Sequence, residues 1–181
     1  MIITYNGLQA VKAQFGDVAL AFDRNTVEYS NRGEHKSFRV TGPGESEIGG
    51  VFIKGLPSQS NYGGKNGINT IYSVNLENMN ICFLGALGNA NLGGEVVAAL
   101  DGIDILFVPI GGNGVLGPAE AEKLSVSLEP SIIIPIHYES DSLKKFLKEA
   151  GAEEVKPIDK LTLKKKDLEG KEGEIVVLEA R

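Results

Sequence analysis

The second half of the chain alternates between apolar runs and helix-like segments, and this alternation restricts the fold more than any other feature. Three nearly continuous apolar runs occupy residues 81–84, 103–109 and 132–136. Runs of this kind are typical of parallel strands that are covered on both faces. The segments with helical spacing of apolar residues are 94–100, 118–128 and 142–150. We therefore predict strand–helix units of an α/β protein.

The first half of the chain follows a different pattern, with short β-rich runs separated by Gly, Asn, Ser and Pro. These runs are residues 2–5, 18–22, 38–41, 51–54 and 70–76. This spacing is typical of antiparallel hairpins. Near the end of the chain, residues 161–165 and 174–179 predict a closing hairpin. No repeat or linker divides the sequence, so we expect a single domain over residues 1–181.

The composition argues against several classes of function. The net charge of −6 provides no basic surface, which nucleic-acid binding requires. The single cysteine, Cys82, lies in an apolar run, where a free thiol behaves as a small hydrophobic group. No apolar stretch approaches the roughly 20 residues needed to cross a bilayer. We therefore expect a cytoplasmic protein that binds neither nucleic acid nor a membrane.

Glycines and polar residues follow each of the three predicted parallel strands. Ligands bind beyond the carboxyl ends of such strands, because loops and helix N-termini collect there. The candidates for a ligand-binding rim are Ala86, Asn89, Gly111, Gly112, Asn113, His137 and Tyr138. The turn at residues 111–114 could present backbone N–H groups to an anion, or it could be a plain turn. The asparagines and Tyr138 could contact a small molecule or satisfy the loop backbone.

The sequence assigns no catalytic residue. It lacks the G-x-S-x-G pattern of a serine nucleophile, and Cys82 lies inside a predicted strand without an inferable base. His137 ends the run from residue 131 to residue 137. We interpret it as a hydrogen-bonded structural histidine, with a role as metal ligand or catalytic base as the alternative.

Several segments together resemble the metallo-β-lactamase superfamily. They are Thr41-Gly-Pro-Gly-Glu45-Ser-Glu47-Ile-Gly-Gly50-Val-Phe-Ile-Lys-Gly55, Asn69-Thr-Ile-Tyr72, Ile81-Cys-Phe-Leu-Gly85-Ala-Leu-Gly88, Asp104-Ile-Leu-Phe-Val-Pro109-Ile-Gly-Gly112 and Ile134-Pro-Ile-His137-Tyr138. The branch that the chain resembles contains predicted zinc-dependent hydrolases related to L-ascorbate phosphate lactonase. This resemblance covers residues 1–138. It implies an αββα sandwich, in which two β-sheets pack face to face with helices outside and a site lies at one sheet edge.

The chain departs from that family at the positions of the metal ligands. Asp23 matches the aspartate that ends an early strand, but residues 24–38 replace the H-x-H-x-D-H segment that follows in the family. The third family histidine would fall near residues 58–60, which are Ser, Gln and Ser. The sequence therefore lacks the ligands that the H-x-H-x-D-H segment and the third histidine provide in the family.

The remaining family ligands follow the predicted parallel strands. Ala86 replaces the metal-bridging aspartate and Asn89 the histidine after it, so that only His137 keeps its ligand type. A catalytic zinc or iron site needs at least three converging donors. The donors from which a site could be rebuilt around His137 are Asp23, Glu34, His35, Glu45 and Glu47.

These departures predict a degenerate metal site and no bound cofactor. The expected function is that of a pseudoenzyme, either a small-molecule-binding protein or a scaffold for self-association or partner binding. The alternative is a metal-dependent hydrolase of a phosphoester, lactone or related substrate, with zinc held in a rebuilt or intersubunit site. We also expect a homo-oligomer, because a shortened segment at residues 24–38 would expose an apolar sheet edge.

Overall fold

A computed structural model describes residues 1–62 and 67–181 of the chain. The strands are β1 Ile2–Tyr5, β2 Val11–Phe15, β3 Val18–Asp23, β4 Thr26–Asn31, β5 Lys36–Thr41, β6 Gly44–Ile48, β7 Val51–Ser60, β8 Gly67–Leu76, β9 Met79–Phe83, β10 Ile105–Pro109, β11 Ile132–Ile136, β12 Leu161–Thr162 and β13 Glu174–Ile175. The helices are α1 Gly94–Ala98, α2 Pro118–Ser127 and α3 Ser140–Glu149, and a 3-10 turn spans Lys165–Leu168.

The strands form two sheets. The first has the order β12-β1-β2-β3-β4-β5, and the second has the order β13-β11-β10-β9-β8-β7-β6. Neighbours in the first sheet are antiparallel, as are the pairs from β6 to β9 in the second. Strands β9, β10 and β11 are parallel. The antiparallel first half and the parallel second half that the sequence predicts are both confirmed.

The main core lies between the two sheets. Alternate residues of the first sheet point into it, including Ile3, Leu20 and Phe22, all of which are fully buried. From the second sheet, Phe83 and Phe107 face them, and the Phe22 and Phe83 ring centroids are 5.2 Å apart. Aromatic pairs at this separation contribute about 1 kcal/mol beyond the area that they bury. This packing joins the two sheets face to face.

A second apolar layer lies between the second sheet and the helices. Leu124 of α2 and Phe146 of α3 pack with Leu106 of β10 and Ile133 of β11. This second covered face is why β10 and β11 are apolar at every position. The predicted α/β fold of two packed β-sheets with flanking helices is confirmed, and among the described residues the three helices all pack in this layer.

The predicted start of α2 is confirmed as well. Pro118 occupies the first turn, where its missing N–H costs nothing, and the Glu120 carboxylate accepts a hydrogen bond of 3.1 Å from the Gly117 N–H. Among residues 1–62 and 67–181, no helix is both long enough and apolar enough to cross a membrane, since α2 and α3 have only ten residues each.

The predicted closing hairpin is wrong. Strand β12 pairs antiparallel with β1, whereas β13 pairs parallel with β11 in the other sheet. The two segments separate because Leu168, between them, is buried in the main core and the Lys165–Leu168 turn directs the chain from one sheet to the other. Each segment therefore completes a different sheet.

Residues 24–38, the segment predicted to replace a histidine motif, are largely ordered as strand. They include β4 and the start of β5, and the two strands pair from Thr26 opposite Thr41 to Asn31 opposite Lys36. Strands β2, β4 and β6 were not among the predicted strands. Their sequences are rich in polar residues because one face of each strand is open to solvent.

Candidate functional site

The carboxyl ends of the parallel strands meet at one edge of the second sheet, as the sequence predicts. The ladder continues past the strands, because the Ile110 N–H donates to the Ile136 carbonyl at 3.1 Å. The Leu116 N–H donates to the Leu87 carbonyl at 2.9 Å and ties the loop after β10 to the loop after β9. We call residues 85–89, 111–114 and 137 the rim. Backbone hydrogen bonds thus connect the loops that carry the rim.

His137 occupies a fixed position directly after β11. Its φ of 50° lies in the left-handed region, which is uncommon for residues other than glycine. Its N–H donates to the Leu8 carbonyl at 2.7 Å and lies 3.0 Å from the Tyr5 hydroxyl. Burial raises the pKa of Tyr5 to about 12, so its hydroxyl stays protonated and donates to the Leu8 carbonyl at 2.9 Å. The backbone of His137 is thus held by the loop after β1.

Gln9 hydrogen-bonds one side of the His137 imidazole. The buried Gln9 amide Nε2 hydrogen-bonds the imidazole Nδ1. With Nδ1 as the acceptor, the neutral ring carries its proton on Nε2. The Gln9 carbonyl oxygen is buried and has no hydrogen-bond partner among the described residues. In either orientation of the amide, Gln9 blocks the Nδ1 side of the imidazole.

An aromatic ring covers His137 on another side. The Tyr62 and His137 ring centroids are 4.7 Å apart with an interplanar angle of 85°, an edge-to-face arrangement. The Arg24 guanidinium lies 5.7 Å from the Tyr62 ring centroid, within the range of a cation–π contact. Arg24 thus lies over the Tyr62 ring, and the Tyr62 ring lies edge-to-face with His137 at the rim.

The pKa of His137 is lowered from its ordinary value. The main cause is burial, which disfavours the charged imidazolium, and the nearby positive charge of Arg24 adds to it. His137 is therefore neutral at pH 7.

This lowered pKa predicts a pH-dependent stability. Below the ordinary value of 6.5, unfolded His137 takes up a proton that the folded chain resists, so the free energy of unfolding should decrease as the pH falls from 6.5 through the folded pKa. Urea unfolding at pH 7.5 and 5.5 measures the change. In His137→Gln the change should be smaller, and at pH 7.5 this substitution should cost at most about 1–2 kcal/mol. An identical pH dependence in both proteins would contradict the lowered pKa.

Ala86, which is predicted to replace the family's bridging aspartate, is part of a buried polar network. Its N–H donates to the Asn69 side-chain oxygen at 2.9 Å. The Asn69 amide nitrogen donates to the Leu84 carbonyl and to the Ser58 hydroxyl, both at 2.9 Å. Ser58 lies where the third family histidine is expected. An uncharged asparagine thus connects Ala86 and Ser58.

The end of β7 lies directly on the rim. The Asn61 N–H donates to the Gly114 carbonyl at 3.1 Å, and the Gly88 N–H donates to the Gln59 carbonyl at 2.9 Å. A Cβ atom on Gly88 would lie 2.7 Å from the Gly114 carbonyl oxygen, which shows how closely these backbones approach. The segment with Asn61 and Tyr62 therefore fills the space in front of His137.

The other predicted rim residues have separate environments. Asn89 is exposed, accepts a hydrogen bond from the Asn91 N–H and lines a cavity of about 290 Å³ together with Ser58. The Tyr138 hydroxyl donates to the Leu178 carbonyl at 2.7 Å, so this side chain fastens the C-terminal segment. Asn113 is exposed at the tip of its turn with a φ of 53°. Gly111 and Gly112 lie in the loop beside His137.

His137 is the one rim residue of the usual metal-ligating types His, Cys, Asp and Glu. Among residues 1–62 and 67–181, no group of three or more His, Cys, Asp or Glu residues could hold one. Residues 63–66 contribute none of these residue types. Of the donors considered for a rebuilt site, Glu34 pairs with Lys36 and Glu45 with Lys54. His137 is therefore surrounded by an amide, a phenol ring and a guanidinium group, which are poor ligands for zinc.

Sequence reasoning did not identify four residues that shape the rim. They are Gln9, Arg24, Tyr62 and Asn69. Asn69 had a signal, because it begins one of the segments that resemble the family. The other three lie in turns or at strand ends far from His137 in sequence, and only the fold brings them to it.

This fold and the edge at which the rim lies define the metallo-β-lactamase class of proteins. A family model described as the beta-lactamase superfamily domain matches residues 12–137, which is more than half of the chain. The chain belongs to this superfamily.

Curated relatives match part of the chain. A UPF0173 metal-dependent hydrolase of Thermococcus kodakarensis is 32% identical over 103 residues, which are 52% of this chain and 44% of that protein. A second UPF0173 metal-dependent hydrolase, from Pyrococcus horikoshii, is 36% identical over 99 residues, again 52% of this chain and 44% of the relative. The chain thus spans less than half the length of these relatives. A closer relation to L-ascorbate phosphate lactonase stays a prediction.

Solved structures match nearly the whole chain. A candidate Zn-dependent hydrolase of the metallo-beta-lactamase superfamily from Thermotoga maritima has a TM-score of 0.79 and 25% identity, with 99% of both chains covered. Igni18, a metallo hydrolase from Ignicoccus hospitalis, has a TM-score of 0.60 and 14% identity, and the match covers 90% of this chain and 99% of that one. The similarity to Igni18 concerns the fold alone.

Proposed function

We propose that this chain is a non-catalytic member of the metallo-β-lactamase superfamily, whose rim binds a small molecule or serves as a scaffold without a metal ion. The observation that carries the proposal is the environment of His137, the one family ligand type that remains. The Gln9 amide hydrogen-bonds the Nδ1 atom of His137, and Tyr62 packs against the imidazole ring. A hydrolytic centre would need open coordination positions at this point.

The charge at the rim supports the same proposal. In a zinc enzyme the metal ion supplies the positive charge that polarises the substrate and activates water. Here the charge near His137 is the guanidinium of Arg24, which can bind an anionic group but cannot activate water as a metal ion does. A small anion is therefore the ligand class that the rim favours, and self-association through the rim is the scaffold form of the proposal.

The relatives' names favour a second candidate. Both curated relatives are named metal-dependent hydrolases. This alternative function would be a metal-dependent hydrolase of a phosphoester, lactone or related substrate, with donors from a second subunit completing the site around His137.

Metal content distinguishes the two candidates. We expect the purified protein to contain no stoichiometric zinc, iron or manganese by elemental analysis, because Ala86 and Ser58 lack the required donor groups. Its thermal melt should also be unchanged by EDTA, since a bound metal would contribute to folding stability. About one or two bound ions per chain, removed by EDTA with a lower melting temperature, would contradict the metal-free proposal and favour the hydrolase alternative.

A ligand screen addresses the role of the rim directly. Small anionic metabolites are added to the wild-type protein and to His137→Gln, and melting temperatures are recorded. A rim ligand should stabilise the wild type more than the variant. Light scattering on both proteins tests the scaffold form, because self-association through the rim should be weaker in His137→Gln. The proposal would be contradicted if no anion stabilised the wild type more than the variant and if self-association were the same in both proteins.

A further inference from the structure

A second concave site lies between α2, α3 and the segment that leads into β13. We call it the helix cleft. It has a volume of about 590 Å³, and its lining includes Val126, Ile133, Phe146, Ala150 and Ile175. Small-molecule pockets commonly have volumes of about 300–1,000 Å³. The helix cleft is therefore large enough for a ligand with several ring or chain atoms.

The floor of the helix cleft is apolar. Phe146 and Ile133 are buried and belong to the layer between the helices and the sheet. Val126 also lines the cleft, and this valine is 62% exposed on α2. A ligand that covers Val126 would remove apolar surface from water, worth about 25 cal/mol per Å². The floor thus favours a ligand with a hydrocarbon body.

The charges around this floor are mainly negative. Glu122, Glu129 and Glu172 line the helix cleft, and none of them takes part in an ion pair among residues 1–62 and 67–181. The one lysine in the lining, Lys171, forms an ion pair with Glu174. Three carboxylates therefore remain to balance the charge of a ligand.

Helix α2 adds to this negative potential. Its C-terminal end lies at the cleft, and its last turn contains no basic residue. The free carbonyl groups at a helix C-terminus carry a partial negative charge that favours cations. Glu129 lies two residues after this end and has a φ of 48°, so the chain turns there into the cleft wall.

The helix cleft and the rim are separate sites. Ile133 lies near the start of β11 and His137 directly after its end. Four residues of strand separate these positions by roughly 13 Å, and the floor of the cleft is on the helix-covered face of the sheet. A ligand in the helix cleft is consequently independent of the function proposed for the rim.

We propose that the helix cleft binds a small amphipathic organic cation, in which an ammonium or guanidinium group is carried on an alkyl or aryl body. The body covers Val126 and lies over Phe146. The cation lies among the carboxylates of Glu122, Glu129 and Glu172. Anions of the same shape are excluded, because the three carboxylates repel them.

Three probes of one shape test this proposal. Phenethylamine, 2-phenylethanol and 3-phenylpropionate share an aryl body and differ in charge. In ¹H–¹⁵N correlation spectra of the full chain, phenethylamine should shift the signals of Val126, Ala150 and Gly173 at probe concentrations of about 10 mM, which suits a fragment of this size. The alcohol should bind more weakly and the carboxylate should produce no shift there.

Matched variants separate charge from shape. Combining Glu122→Gln with Glu129→Gln should raise the dissociation constant of phenethylamine about fivefold, in line with exposed charge pairs. Glu153→Gln, an exposed glutamate outside the cleft, should leave it unchanged. Ala150→Phe should fill the cleft and abolish the shifts while the rest of the spectrum stays that of the folded protein.

Several results would overturn the proposal. They are equal affinity for the amine and the alcohol, no shift with the amine at about 10 mM, and shifts spread over unrelated acidic surface. A change of oligomeric state in the Glu122 and Glu129 variant, measured by light scattering, would instead assign the cleft to a second copy of the chain.

Discussion

Gly114→Ala should lower the free energy of unfolding by roughly 3 kcal/mol or more. Gly114 has a φ of 97°, which an alanine adopts only with strain. Its added Cβ would also collide with the Asn61 carbonyl group and lie 2.7 Å from the Tyr62 Cα atom. These neighbours are backbone atoms held by the hydrogen bond between Asn61 and Gly114, so they cannot move aside as a flexible side chain could. Urea denaturation measures the loss.

Gly112→Ala is the matched control for this prediction. Gly112 lies in the same turn with a φ of 67°, but a Cβ there would meet no atom within 4 Å. It should therefore cost only the backbone strain of a left-handed residue, about 1 kcal/mol. Equal losses in the two variants would show that the segment with Asn61 and Tyr62 does not lie against the rim.

The close contact at Gly114 also bears on function. A segment that binds the rim through backbone hydrogen bonds leaves little room for a bulky substrate in front of His137. The same segment brings Tyr62 against the imidazole. The two features together favour a small ligand over a large one in the function proposed for the rim.

The sequence predicts the fold well where physical constraints are local. The apolar run at residues 132–136 is removed from water only if both faces of its strand are buried. Strand β11 does lie between the main core and the helix layer. Pro118 and Glu120 similarly predict the start of α2 through hydrogen bonds within one turn.

The sequence predicts less where a residue depends on distant partners. The alternation in residues 161–165 and 174–179 suits a strand but does not specify which strand it pairs with, and the two segments join different sheets. The environment of His137 shows the same limit. Its neighbours Gln9 and Tyr62 are 128 and 75 positions away, and no spacing pattern connects them to it.

The buried network around Asn69 predicts the second large effect. Asn69→Ala should lower the free energy of unfolding by roughly 3 kcal/mol, because it leaves the Ala86 N–H and the Leu84 carbonyl without partners in a buried place. Asn75→Ala is the control. Asn75 lies on the same strand and is exposed, and its side chain donates to the Asn80 side-chain oxygen at 2.7 Å, so the loss of this side chain should cost less than about 1 kcal/mol.

Amide hydrogen exchange gives the Asn69 prediction a local test. In Asn69→Ala the Ala86 amide should exchange faster relative to the amides of β10 than it does in the wild type, since its hydrogen-bond acceptor is gone while the parallel ladder remains. In Asn75→Ala this relative rate should be unchanged. An Ala86 amide that stays as protected in Asn69→Ala as in the wild type would mean that the loop after β9 is held by something other than Asn69. Ala86 would then be kept in place by the packing of Leu84 and Leu87, both fully buried in the helix layer, and not by the polar network.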